Sequence, residues 1–90
     1  MSMSTSHTRT LRVLYFAAAR ERTQHQEEQI LLSHPYTLSE LKRLLYQRHE
    51  TLQPLDQYLR WAVNHRFCED EELTLSEGDE VALIPPISGG

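Results

Sequence analysis

Ninety residues with a formal net charge of −4 and one cysteine describe one small domain without a disulfide framework. The acidic balance, with no basic stripe against it, argues against a nucleic-acid binder and suits docking on a basic partner. No apolar run approaches the length of a membrane span, and a lone Cys68 fits a reducing compartment, so the expected location is cytoplasmic.

Residues 1–10 are rich in Ser, Thr and His and lack an apolar signal core, so they are expected to be a disordered leader. Leu11 to Phe16 is β-rich and apolar at alternate positions on both faces, the pattern of a strand inside a sheet. Ala17 to Arg22 fits a short helical turn, Thr23 to Glu28 a polar loop, and Gln29 to Ser33 a second strand antiparallel to the first.

A helix start follows. Thr37 and Glu40 have the spacing of a capping box, in which each side chain satisfies a backbone N–H of the other. Tyr36 and Leu41 stand at the two positions of a hydrophobic staple. Leu38, Leu41, Leu44 and Leu45 fall on one stripe of a 3.6-residue helix. Arg48 and His49 suit its negative C-terminal end, and Pro54 bars extension much beyond Thr51.

Leu59 to Val63 reads as a third strand anchored by Trp61, and Asn64-His65-Arg66 as a turn. Phe67 and Cys68 form a short returning strand, and Glu69 to Glu72 is a solvated charge run. Ser76 to Asp79 is a turn with Gly78 available for positive φ, and Glu80 to Ile84 is the last strand. Two strands, a helix and then two or three strands pack most economically as one mixed sheet with the leucine stripe across one face. That is an α+β fold of the β-grasp, or ubiquitin-like, kind, spanning residues 11–84.

Residues 85–90 form an extended tail. Pro85 and Pro86 end ladder hydrogen bonding and hold the chain straight. From Ile84 to Gly90 such a chain reaches roughly 20 Å. Gly89-Gly90 has no side chain, so the backbone there fits a channel that any Cβ would block. Ile84 and Ile87 are apolar where a free tail is usually polar, which points to burial by a partner. If this end does chemistry, the reacting group is the main-chain carboxylate of Gly90.

Asp79-Glu80-Val81-Ala82, Pro85-Pro86 and the closing Ser88-Gly89-Gly90 resemble the small, sulfur-carrying subunit of molybdopterin synthase. Val13-Leu14-Tyr15-Phe16-Ala17 with Arg20-Glu21 is similar to that family's first strand, and Ala62-Val63-Asn64 to its middle strand. The resemblance spans Leu11 to Gly90. It implies that Gly90 is adenylated by an activating enzyme using ATP, with AMP as a transient adduct and no permanently bound cofactor. A persulfide sulfur donor then converts the adenylate to a thiocarboxylate. The tail, with Ile84, Pro85, Pro86, Ile87, Ser88 and Gly89 contacting the partner, enters a larger catalytic subunit in a two-plus-two heterotetramer. There it gives sulfur to cyclic pyranopterin monophosphate. Phe16 and Arg20 match positions that contact the large subunit. The resemblance makes this chain a carrier, with catalysis on its partner.

Competing readings remain at this level. Phe16 fits either the core or an interface. Arg20 is an ordinary surface residue apart from the resemblance. Cys68 reads as a small hydrophobe. His7, His25, His34, His49 and His65 show no metal-ligand spacing, so no metal site is expected. Sulfur carriers for the thiamin thiazole or tRNA thiolation, a lysine-linked modifier and a plain interaction module share some of these features.

Overall fold

The computed structural model describes residues 9–86. Their elements are β1 (Arg9–Tyr15), α1 (Ala17–Thr23), β2 (Glu27–Leu32), α2 (Leu38–Arg48), a 3-10 helix (Glu50–Tyr58), β3 (Arg60–Val63), β4 (Arg66–Phe67) and β5 (Glu80–Ile84). The sheet order is β2-β1-β5-β3-β4. β1 and β5 run parallel, and β2, β3 and β4 join as antiparallel neighbours. This is the expected mixed β-grasp sheet. Among the described residues, no helix is long and apolar enough to cross a membrane.

Period-2 alternation decides which side chains meet the helices. Leu11, Val13 and Tyr15 on β1, Ile30 and Leu32 on β2, Trp61 and Val63 on β3, and Val81 and Leu83 on β5 are buried in one core cluster. α2 closes it with Leu38, Leu41 and Leu45, each fully buried, while Leu44 is partly buried at the margin. Burial of each such side chain contributes about 1.5–3 kcal/mol before the entropic cost.

The start of α2 is secured twice. The Thr37 backbone N–H donates to Glu40 Oε1 at 2.9 Å, and the Glu40 N–H donates to Thr37 Oγ1 at 3.2 Å. The Leu38 and Ser39 N–H groups donate to the carbonyls of Leu73 and Glu71 at 2.9 and 3.0 Å, and Lys42 Nζ reaches Glu71 at 2.8 Å. Residues Glu69–Glu72 are exposed as expected, and the carbonyls of Glu71 and the following Leu73 also serve as a clasp for otherwise unsatisfied helix N–H groups.

Several boundaries differ from the sequence expectation. β1 starts at Arg9, two residues inside the segment expected to be a leader; residues 1–8 lie outside the described residues. β2 starts at Glu27, so two residues of the expected loop are strand, because Glu27 and Glu28 pair with Leu14 and Val13. The returning strand is Arg66–Phe67 rather than Phe67–Cys68. α2 stops at Arg48, within the limit set by Pro54, but an unexpected 3-10 helix follows and carries Pro54, with its Leu52 buried. Proline is tolerated there because 3-10 hydrogen bonding is short and discontinuous.

Candidate functional site on the open face of the sheet

The residues alternating with the core point to the uncovered face. Register places Leu14 beside Ala82, Ala82 beside Ala62, and Ala62 beside Phe67, in one row across four strands. The two alanines make the centre of this row low. Phe16 and Phe67 are large and remain 46% and 61% exposed. With Leu14, Ile84, His65 and Glu80 they enclose a largely apolar groove of about 320 Å³. Exposed aromatic groups around a small-residue floor are unusual for a surface left to solvent.

The groove is held stiffly. Phe16 is the N-cap of α1; its N–H donates to the Leu83 carbonyl at 3.2 Å, and its own carbonyl accepts from Ala19 and Arg20 N–H at 3.0 and 3.3 Å. On the far wall the Arg60 guanidinium sits 4.7 Å from the Phe67 ring centre, a cation–π contact that positions the ring. Asn64 (φ 52) and His65 (φ 73) make the tight β3–β4 turn in left-handed backbone. Asn64 tolerates that conformation and also uses its amide: Nδ2 donates to Asp79 Oδ1 at 3.0 Å, and Oδ1 accepts from the Glu80 N–H at 2.9 Å. Gly78, with φ 86, makes the turn that feeds β5.

Charge lies along one margin. Arg12 Nη2 donates to Glu27 Oε1 at 3.0 Å, and its Nη1 lies 3.6 Å from Glu80. The Glu27 hydrogen bond and charge raise the Arg12 pKa further, with Glu80 adding to it. His65 Nε2 lies 3.6 Å from Glu80 on the same side. An apolar centre with a polar margin is the anatomy of a protein-docking surface.

Of the residues singled out in the sequence, the structure brings Phe16 and Ile84 to this groove. Phe16 is therefore a surface aromatic, not core. Arg20 is exposed on α1. Pro85 is buried against the domain and Pro86 is exposed where the chain leaves β5. Ile87, Ser88, Gly89 and Gly90 lie outside the described residues. Cys68 is half-buried against the core cluster, as a small hydrophobe would be. Leu14, Ala62, Ala82 and Phe67 complete the groove and were not assigned a site role from sequence. Their signal was the second apolar face of the first strand, which has meaning only once register aligns it with Ala62 and Ala82.

The sheet order, the single long helix across one face and the groove at the end of β5 define a ubiquitin-like β-grasp protein. Comparison with known proteins agrees. The ThiS family profile matches residues 13–90, and the chain belongs to the ThiS family. The molybdopterin synthase sulfur carrier subunit of Mycosarcoma maydis is 38% identical over 89 residues, covering 92% of this chain and 96% of that relative. SAMP1 from Haloferax volcanii shares the fold at a TM-score of 0.78 and 21% identity, covering 90% of this chain and 99% of its own. Subunit 1 in the complex of subunits 1 and 2 of the molybdopterin-converting factor of Helicobacter pylori matches at 25% identity and a TM-score of 0.67, covering 90% of this chain and 99% of that one.

Proposed function

We propose that this chain is the sulfur carrier of a molybdopterin synthase, with Gly90 as the point of attachment and the open-face groove as the seat of a larger catalytic subunit. One observation carries the reading: the apolar groove ends at Ile84, where the Pro85-Pro86 exit begins. A partner seated between Phe16 and Phe67 would thus stand at the root of the tail. The Helicobacter pylori complex, in which a related subunit 1 is bound to subunit 2, supports such a partner.

The chemistry follows from the carboxylate. A carboxylate is a poor electrophile, so an activating enzyme joins Gly90 to the α-phosphate of ATP and releases pyrophosphate. The terminal sulfur of a persulfide donor attacks the acyl carbon and AMP leaves. A thiol reductant then cleaves the S–S bond, leaving a thiocarboxylate. That soft nucleophile enters the partner's site and bonds to cyclic pyranopterin monophosphate. Water cleaves the acyl–sulfur bond, so sulfur stays on the pterin and Gly90 returns as a carboxylate. The general acids and bases lie on the partners, which makes this chain a co-substrate.

The test is mass spectrometry of the C-terminal peptide after incubation with an activating enzyme, ATP and a persulfide donor. Exchange of one oxygen for sulfur on the Gly90 peptide is expected. The thiocarboxylated protein, mixed with a large subunit and the pterin precursor, should give dithiolene product. Failure of that second step with a confirmed thiocarboxylate would reject this product and favour another sulfur acceptor. A residue appended after Gly90 is expected to abolish transfer while leaving the thermal midpoint unchanged. Retained transfer by the uncleaved extension would reject the carboxylate mechanism.

A further inference from the structure

On the helix-covered side of the sheet, the fold assembles three potential metal ligands from distant parts of the chain. His25 lies in the α1–β2 connection, Glu28 in β2, and His49 caps the C-terminus of α2. One ligand atom from each lies within 4.8 Å of the other two. His49 Nε2 is 2.9 Å from Glu28 Oε1, and His25 Nε2 is 4.0 Å from Glu28 Oε2. The Glu28 and His49 side chains are only 15% and 13% exposed. We propose that His25, Glu28 and His49 form a binding site for a divalent first-row transition ion of the zinc type, unrelated to the Gly90 chemistry.

Features around the triad favour this chemistry over a mere surface ion pair. His25 Nδ1 is 2.9 Å from the Gln24 carbonyl, which can only accept, so the ring proton sits on Nδ1. That tautomer leaves the Nε2 lone pair facing the cluster, the arrangement in which metal-bound histidines are commonly held. Tyr15 Oη donates to Glu28 Oε1 at 2.6 Å, an outer hydrogen bond that orients the carboxylate. The His49 backbone is fixed by its N–H donating to the Leu45 carbonyl at 2.7 Å, and its ring packs edge-on against Tyr15. Two imidazoles and one carboxylate suit zinc, copper or nickel, and supply too few oxygens for calcium.

Two changes accompany binding. The His49 N–H that donates to Glu28 gives way to the ion, its proton passing to Nδ1 or to solvent. Arg48, whose Nη1 is 3.3 Å from Glu28 Oε2, swings away. Arg48 is half exposed and free to do so, but its charge opposes the ion. The sequence hid this site because His25 and Glu28 precede His49 by more than twenty residues and meet it only through β2 and α2.

Calorimetric titration of the full, chelator-stripped chain with Zn²⁺ alone tests the proposal. One saturable site per chain is expected, with no comparable binding of Ca²⁺. His25→Ala, which removes a partly exposed ring without disturbing the core, should weaken Zn²⁺ binding by at least about tenfold. Arg48→Gln should strengthen it several-fold. If His49→Ala fails to fold, His25→Ala and Arg48→Gln still decide the matter. Absence of saturable Zn²⁺ binding, unchanged affinity in His25→Ala, or weaker affinity in Arg48→Gln would overturn the proposal.

Discussion

The two faces of this sheet are built from the same strands and treated in opposite ways. On the covered face, Leu11, Val13, Tyr15, Trp61, Val81 and Leu83 are sealed by α2. On the open face, Leu14, Phe16, Ala62, Phe67, Ala82 and Ile84 form a groove. Adjacent residues such as Val13 and Leu14 are equally apolar, yet one is sealed in the core and the other lines an open groove. Apolar composition therefore does not separate core from groove here; the side of the pleat does.

The sharpest way to break that contrast is a truncation on each face. Leu41→Ala, at a fully buried position of α2, should cost about 2–5 kcal/mol of stability, measured by urea unfolding. Phe16→Ala should leave stability within about 1 kcal/mol but weaken binding of the large subunit by about 2 kcal/mol, or some thirtyfold, in a titration. Equal loss of stability from both variants would show that the open face is core after all.

Smaller effects sharpen the covered side. Thr37→Ala removes one arm of the capping box and should cost about 1 kcal/mol, again by urea unfolding. The Glu28 carboxyl supplies a pH signature. Burial alone pushes its pKa up, but hydrogen bonds from Tyr15, His49 and Arg48, with the nearby His49 charge, hold it below the usual 4.5. A depressed carboxylate pKa adds stability above the unfolded value, and that stability is lost as pH falls from about 4.5 through the lower folded value. Metal-free Glu28→Gln should lack this acid-side loss, seen as a flatter plot of unfolding free energy between pH 5 and pH 3.

The local chemistry of the chain was open to reading wherever short-range rules apply. Thr37 and Glu40 specify the start of α2, Gly78 and Asn64 mark the turns, and Pro85-Pro86 marks the end of β5. Element order was enough for the β-grasp expectation. The 3-10 helix was missed because Pro54 obscures a pattern that depends on burying Leu52 against neighbours distant in sequence. The first two residues of β2 were missed because Glu27 and Glu28 are poor strand formers that pairing with β1 overrides.

Sequence by itself determined the leucine stripe of the capped helix and the proline stop after β5, because each depends on residues a few positions apart. Only the tertiary structure decided that Phe16 is a groove wall, that Leu14, Ala62, Ala82 and Phe67 lie in one row, and that His25, Glu28 and His49 meet. Those placements come from strand register and from α2 folding back over β2. Both bring together residues that no local periodicity relates.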